Sequence, residues 1–316
     1  MDFFKTWVVG VDMSLTDTFI LKNIEQLAKQ FKPDIIHFVY ITNQPDIPQE
    51  VLDDIPDLHL PELNHYQSRI EEWLSANFKA DIQKKVCVKE GNVVTELLRY
   101  ASDVNADLFL LGKKQKEMPS SVVKKMARKA PCSLLIVPEE VINSIHATLV
   151  PVDFSSYSQL ALDMSQAIAE KYRECKLHTL HVYQDATKYL GQVFETKHEI
   201  DGILEKRAAI NNKLDQYARH QLDEYLENAN LSVEVVPHIA SIDHSKEVSH
   251  AINDWVENNK VDMVIIGAKG KSAGLATLIG SVFEHVYFKA YHHFLLVLKK
   301  KGENNGLLKV LLGQKF

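Results

Sequence analysis

The sequence predicts an α/β fold with two tandem five-stranded parallel sheets, each carrying helices on both faces. Short apolar runs alternate with amphipathic segments along the whole chain, which is the order of βαβ units. The same order begins again after residue 146, with matching residues at several places. A length of 316 residues is enough for two domains that each bury a core of their own.

The first half contains five predicted strands. The run 7–12 is apolar and is followed by Ser14 and Thr16, either of which suits a helix start, and apolar residues then recur at helical spacing as far as Phe31. The segment 43–61 holds four prolines and several acids, which favours a solvated loop over a binding tail. The remaining strands are predicted at 34–40, 85–89, 107–112 and 132–137, and the remaining helices at 63–78, 93–101 and 120–129.

The second half repeats the first. The segment 11–14 (Val-Asp-Met-Ser) matches 152–155 (Val-Asp-Phe-Ser), and 107–112 matches 262–267. A helix is expected after Ser155. The strands of this half are predicted at 147–153, 176–183, 232–236, 261–267 and 293–298. We therefore predict one domain at 1–140 and a second at 146–300, followed by a C-terminal tail at 301–316.

Composition argues against several classes of function. The net charge of -6 and the lack of a basic stripe argue against a nucleic-acid partner. Neither a secretory signal nor an apolar run of membrane-spanning length is evident, so a cytoplasmic protein is expected. The three cysteines lie far apart in or beside apolar runs and are interpreted as core thiols. Among the 14 histidines no pair has metal-ligand spacing, and His178 and His181 merely share a predicted strand, so no metal site is predicted.

The segment 261–281 has the pattern of a phosphate-binding loop. A buried strand ends at Gly267, Gly270 follows, and after nine further residues come Gly280 and Ser281. Glycine tolerates positive φ and lets backbone N–H groups approach an anion, and a helix start adds unpaired N–H groups. Since position 265 is Ile, the segment is not a P-loop. The alternative interpretation is a glycine-bearing surface loop without a ligand.

The first half carries a shortened version of this loop. Gly112 pairs with Gly267 at a separation of 155, whereas Ser120 pairs with Gly280 at 160, so five residues are missing. Gln115 stands in the place of Gly270. We therefore predict that only the second half binds a polyphosphate. The alternative is that the shorter loop, with lysines nearby, captures a small anion such as phosphate.

The glycine spacing and the two similar halves resemble the universal stress protein family, here as a tandem member. The resemblance implies a Rossmann-like sheet of the adenine-nucleotide alpha hydrolase-like type and a site for ATP with Mg²⁺. It further implies that Asp153 meets the adenosine part beside Pro151 and Val152, and that Val182 presents its backbone to adenine. The phosphate ligands implied are Gly267, Gly270, Gly280, Ser281 and Val282. Two departures stand out: the family's Gly-x-Pro element after the third strand is replaced by Val236-Pro237-His238, and Asp153 has an alternative role as a helix cap.

The predicted function is that of a stress-response and regulatory binding protein whose state depends on ATP in the second domain. No catalytic residues are assigned, because no nucleophile, base and orienting group can be placed together, so an enzyme is not expected. An unidentified protein partner is expected, and the domains are predicted to pack as an intrachain pseudo-dimer through 132–137 and 293–298, with a homodimer also open. The first alternative is a scaffold or interaction protein with vestigial pockets. An adenylating enzyme is the second, and its signatures are absent from the sequence.

Overall fold

The computed structural model describes residues 4–42, 62–113, 118–188, 197–270 and 281–302. Within these ranges, only the backbone is described for residues 197–204 and 281. The chain divides into two compact units. Unit 1 runs to Asn143 and also takes in the segment from Lys299 onward, and unit 2 runs from Ser144 to Leu298. Both are α/β units with parallel sheets, which confirms the predicted fold class.

Unit 1 alternates strands and helices. Its described strands are β1 (Thr6–Gly10), β2 (Ile35–Thr42), β3 (Gln83–Glu90), β4 (Leu108–Lys113) and β5 (Ser133–Pro138). Its described helices are α1 (Leu15–Phe31), α2 (Leu63–Asn77), α3 (Val93–Asp103) and α4 (Ser121–Lys129). These elements lie within a few residues of the segments that the apolar periodicity predicts.

Unit 2 has the same order with one much longer helix. Its described strands are β6 (Ala147–Pro151), β7 (Lys176–Gln184), β8 (Val235–Ile242), β9 (Met263–Gly267) and β10 (Phe294–Leu298). Its described helices are α5 (Ser156–Lys171), α6 (Lys197–Asn228), α7 (Val248–Asn259) and α8 (Ser281–Lys289), with a 3₁₀ turn at Ala186–Lys188.

The strand order places a crevice at one end of each sheet. Unit 1 has the order β3-β2-β1-β4-β5 and unit 2 the order β10-β9-β6-β7-β8, with every described pair within them parallel. The direction of winding therefore reverses between β1 and β4 in unit 1, and between β6 and β9 in unit 2. Ligands of open parallel sheets bind outside the carboxyl ends of the strands at such a switch point.

Glycines at two strand ends allow close packing of sheet and helix. A Cβ on Gly267 would lie 2.4 Å from the Cβ of Tyr157 in α5. At the matching place in unit 1, a Cβ on Gly112 would lie 2.0 Å from Cδ1 of Ile20 in α1. Because interiors are close-packed, neither position accepts a side chain without moving the helix. Gly267 is thus required by packing, whether or not a ligand binds beside it.

Two elements of unit 2 differ from the sequence expectation. The third strand of this unit is Val235–Ile242, so the predicted range 232–236 overlaps only its beginning. Pro237, which argues against a strand when read in sequence, is tolerated because β8 lies at the edge of the sheet. The 32-residue helix α6, about 48 Å long at 1.5 Å per residue, was not predicted. None of the described helices is long and apolar enough to cross a membrane.

Candidate functional site

The site lies at the switch point of unit 2, where β6 and β9 end side by side. Thr148 of β6 is in register with Met263 of β9, so the two strands finish at the same edge of the sheet. Asp153 follows β6, and Gly270 follows β9. A Cβ built on Gly270 would lie 2.8 Å from Oδ2 of Asp153. The structure thus brings together two of the residues that the sequence assigns to one site.

The first turn of α5 holds the Asp153 carboxylate in place. Oδ1 accepts the backbone N–H of Ser155 at 3.1 Å and the hydroxyl of Ser158 at 2.7 Å. The N–H of Asp153 in turn donates to Oγ of Ser158 at 3.1 Å. Asp153 therefore does serve the start of the helix, as the alternative interpretation states. One edge of the carboxylate binds the helix start while the other faces Gly270, so the two roles are compatible.

Gly270 does not have the positive φ that is one reason to expect glycine in a phosphate-binding loop. The described glycines with positive φ are Gly91 and Gly302. The absence of a side chain at Gly270 matters for space, because a Cβ would press on the Asp153 carboxylate. Positive φ occurs instead at Phe154 (61°), directly after Asp153, which turns the chain from β6 into α5.

The strand ends beside Asp153 are tied together by backbone groups. The N–H of Val152 donates to the carbonyl of Leu180 at 2.9 Å, and its carbonyl accepts from Nδ1 of His181 at 2.9 Å. Pro151 is the last residue of β6 and is in register with Leu180. Val182 follows two residues later on β7. Pro151, Val152, Asp153 and Val182 therefore lie at the same end of the sheet.

The helix side of the predicted loop is only partly described. Ser281 is the first residue of α8, and Val282 is the second. Gly280, and the rest of the loop from residue 271, lie outside the described residues.

An aromatic cluster that the sequence did not reveal lies behind Asp153. The ring of Phe154 lies 4.4 Å from that of His181 and 5.3 Å from that of Tyr225. The Tyr225 hydroxyl is buried without a hydrogen-bond partner among the described residues. Burial, with a smaller contribution from the charge of Asp153, raises the pKa of Tyr225 to about 12. Tyr225 belongs to α6, the unpredicted helix, so the sequence alone offered no reason to place it here.

Unit 1 has two carboxylates at the corresponding place. The N–H groups of Asp12 and Met13 donate to Oδ2 of Asp17 at 2.8 and 2.9 Å. Asp17 stands where unit 2 has Ser158, so it replaces a neutral hydroxyl with an acid. Burial, and then the neighbouring charge of Asp12, raise the pKa of Asp17 from 3.8 to about 6. The unit 1 crevice is therefore more acidic than that of unit 2 and less suited to an anion.

Replacing Asp17 with asparagine is expected to stabilise the chain in a pH-dependent way. The raised pKa means that the folded state binds the Asp17 proton more tightly than the unfolded state, so stability falls as pH rises from 3.8 to about 6. Asparagine stays neutral and keeps an oxygen for the two N–H groups. Urea unfolding should show a gain of about 3 kcal/mol at pH 7 and about 1 kcal/mol at pH 4.5. An equal gain at both pH values would contradict this, and Asp34→Asn, at a mostly exposed carboxylate, is the control.

The two histidines of β7 face opposite sides of the sheet. Nδ1 of His178 lies 3.1 Å from Nε2 of His238, and both rings pack on Trp255. His181 instead meets Val152 and Phe154. In the described part of the chain no three His, Cys, Asp or Glu side chains are grouped so as to hold a metal ion.

Comparison with known proteins identifies the family. The model of the Universal stress protein family matches residues 4–138 and again residues 145–313. No curated protein gives a significant match. A solved universal stress protein from Archaeoglobus fulgidus DSM 4304 is 18% identical, with a TM-score of 0.64 over 93% of this chain and 98% of that chain. A functionally unknown protein from Pseudomonas aeruginosa PAO1 is 13% identical, with a TM-score of 0.63 over 99% of both chains.

A further match covers one half only. It is a universal stress protein in complex with cAMP, 18% identical, with a TM-score of 0.31 over 49% of this chain and 98% of that chain. The two whole-length structures share the fold of this chain, and the family model accounts for both of its halves. The chain therefore belongs to the universal stress protein family, with one family domain in each half.

Proposed function

We propose that unit 2 binds an adenine nucleotide, ATP with a divalent cation such as Mg²⁺, and that the chain acts as a nucleotide-dependent regulatory binding protein in the stress response. The observation that carries the proposal is the approach of Gly270 to Asp153, in which a Cβ would stand 2.8 Å from Oδ2. A glycine is thus needed at the point where the β9 loop meets the end of β6. That point is the switch point of the sheet, where ligands bind.

The residues of the crevice suit the parts of a nucleotide. Asp153 offers a fixed carboxylate, which accepts hydrogen bonds and so fits the hydroxyl groups of a ribose. The glycine loop and the start of α8 at Ser281 and Val282 offer backbone N–H groups, which fit phosphate oxygens. Val182 offers main-chain groups for the base, and Pro151 and Val152 lie beside Asp153. A divalent cation would neutralise part of the phosphate charge beside the Asp153 carboxylate.

Differences between the units favour one nucleotide for each chain. Unit 1 has Asp17 in the place of Ser158, which adds a carboxylate next to Asp12. The shorter loop of unit 1 also favours a single nucleotide site in unit 2, since it has fewer N–H groups to surround a triphosphate.

The proposal predicts that the intact chain binds MgATP. Isothermal titration calorimetry should give a saturable isotherm, and mass spectrometry of gently purified protein should identify the nucleotide that it carries. If no heat of binding appears up to about 1 mM MgATP, corresponding to a binding free energy weaker than about 4 kcal/mol, nucleotide binding is excluded. The interaction-protein alternative would then be the better account.

We expect binding without rapid turnover. Phosphoryl transfer needs groups that position metal ions, orient a nucleophile and neutralise transition-state charge. The described crevice offers one carboxylate, Asp153, already engaged by Ser155 and Ser158. A steady-state phosphate-release assay should therefore give a rate far below the enzyme median of about ten per second. Several turnovers per second, from a preparation shown to be free of contaminating ATPases, would contradict the proposal.

A further inference from the structure

Strand β8 leaves one side of its backbone open. It ends the strand order of unit 2 and pairs only with β7 among the described residues. The carbonyl of Ile242 accepts from the N–H of Asp185 at 2.8 Å, so the backbone groups of Ile242 point toward β7. Successive residues of a strand alternate in direction. The residues of β8 that point their backbone groups away from β7 are therefore Val235, Pro237, Ile239 and Ser241.

The position of Pro237 supports this assignment. Proline lacks an N–H, and it occurs in sheets where no ladder bond is needed from it, as on the outer side of an edge strand. The carbonyl of Pro237 and both backbone groups of Ile239 and Ser241 then form a row of acceptors and donors. Such a row is a template for one more strand.

The corresponding edge of unit 1 is protected, whereas β8 is not. Strand β3 has the sequence Gln-Lys-Lys-Val-Cys-Val-Lys-Glu, with charged residues at 84, 85, 89 and 90. Strand β8 reads Val-Val-Pro-His-Ile-Ala-Ser-Ile and has no Lys, Arg, Asp or Glu. Charges on an edge strand prevent pairing with other chains. The equivalent edge strands of the two units therefore differ in charge. Strand β8 lacks the charged side chains that would oppose pairing with a further strand.

A cavity beside β8 provides room for the side chains of an added strand. It has a volume of about 470 Å³ and is bounded on the strand side by Ala240, Ser241 and Ile242 and on the α7 side by Ala251 and Trp255. The Trp255 ring is held by the rings of His178 and His238, at 5.2 and 4.8 Å. Trp255 and Ala251 therefore give the α7 wall of the cavity an apolar part that suits an apolar side chain. Most of the remaining lining is polar or charged: Asp185, Arg207, Asp243, Lys246, His250, Asp254, Asn258 and Asn259.

The charged residues around the cavity favour a basic side chain in the partner. Asp185 is paired with Arg207 at 3.1 Å, and Asp243 lies 4.0 Å from Lys246. Asp254, next to Trp255 on α7, is exposed, and its charge contributes to the raised pKa of Lys289, which is itself paired with Glu257. A cationic side chain two residues from an apolar one would reach Asp254 while the apolar one meets Trp255, because residues two apart lie on the same face of a strand.

We propose that β8 binds an extended peptide segment of a partner protein, in which an apolar residue is followed two positions later by lysine or arginine. The peptide backbone pairs with Ile239 and Ser241, the apolar side chain enters the cavity against Trp255, and the basic side chain meets Asp254. Backbone bonds supply the affinity, and the side-chain pattern supplies the specificity. This surface is separate from the nucleotide crevice, so the proposal stands whether or not ATP binds.

The test uses a blocked peptide of sequence TVTKTVTK and the intact chain. Calorimetry or amide chemical shifts should show saturable binding. Methylation of the peptide nitrogens that face β8 should lower the affinity by at least about tenfold, because it removes the backbone donors. Exchange of lysine for glutamate should lower it by about two- to fivefold, the range of an exposed ion pair.

A matched pair of variants tests the site on the protein. Ser241→Pro removes an outward N–H that β7 does not use, and Ser241→Ala keeps it, while both lose the Ser241 hydroxyl. The proline variant should bind at least about tenfold more weakly than the alanine variant, with an unchanged circular dichroism spectrum. If the proline variant does not fold, Asp254→Lys replaces it and should reverse the preference between the lysine and glutamate peptides.

Three outcomes would overturn the proposal. The first is failure of the wild-type chain to bind the peptide, and the second is equal binding of the methylated peptide. The third is a wild-type dimer that Ser241→Pro dissociates, because the occupant of β8 would then be a second copy of this chain.

Discussion

Replacing Gly270 with valine is expected to lower the affinity of the chain for MgATP by at least about 100-fold, or about 2.7 kcal/mol. The new Cβ would stand 2.8 Å from Oδ2 of Asp153, closer than such atoms approach in proteins. Asp153 cannot easily withdraw, because Ser155 and Ser158 hold its other oxygen. The loop must move instead, which displaces the N–H groups proposed to bind phosphate.

The repeat provides a matched control for this substitution. Gln115 corresponds to Gly270 in the alignment of the two halves, so Gln115→Val changes the equivalent loop of unit 1. We expect it to leave MgATP affinity unchanged. Wild-type affinity in Gly270→Val, measured by calorimetry on protein shown to be folded, would contradict the assignment of this loop to the nucleotide.

Replacing Asn23 with leucine is expected to destabilise unit 1 by about 3 kcal/mol. Asn23 is fully buried on α1. Its Nδ2 donates to the carbonyls of Pro138 and Glu140, both at 2.8 Å, and its Oδ1 accepts the N–H of Ile142 at 2.8 Å. Leucine fills a similar volume but leaves these backbone groups unpaired, at about 1–3 kcal/mol for each one that stays buried. The segment after β5 would lose its attachment to α1.

Urea unfolding measures this effect, with Asn64→Leu as the control. Asn64 lies exposed on α2, where the same substitution should change stability by no more than about 0.5 kcal/mol. Equal effects of the two substitutions would show that the three hydrogen bonds of Asn23 contribute nothing beyond the general cost of adding leucine.

Much of the fold could be predicted because the apolar periodicity indicates the strands and helices and the internal repeat indicates the two domains. The strands that end at Gly112 and Gly267 are short apolar runs bounded by glycine, and the structure has both. The position of Asp153 after a buried strand followed from the same pattern. These features depend on residues near one another in sequence, and there local pattern and tertiary structure agree.

The physical reason why a position requires a particular residue was harder to predict. Glycine is compatible both with positive φ and with close packing, and the sequence cannot distinguish the two. Gly270 serves the second purpose against Asp153, and Gly267 does so against Tyr157. Both partners lie more than 100 positions away in sequence, so only the folded chain reveals the contact.

The edge of unit 2 was mispredicted for a physical reason. A half-exposed edge strand does not need a continuous apolar run, and β8 mixes Pro237, His238 and Ser241 with aliphatic residues. The helix α6 is similarly polar, so its apolar stripe is too weak to mark it. Asp17, by contrast, could have been found by extending the alignment of segments 11–14 and 152–155 by three residues to Ser158.

The most direct test of the central claim, that unit 2 alone holds one nucleotide, is the stoichiometry of MgATP binding to the intact chain and to two matched variants. The account predicts one nucleotide for each chain in the wild type and in Asp12→Asn, and strongly weakened binding in Asp153→Asn. Asparagine keeps one oxygen for the helix start but removes the charge and one acceptor beside Gly270. Two nucleotides for each chain, or equal weakening by the two substitutions, would contradict the account.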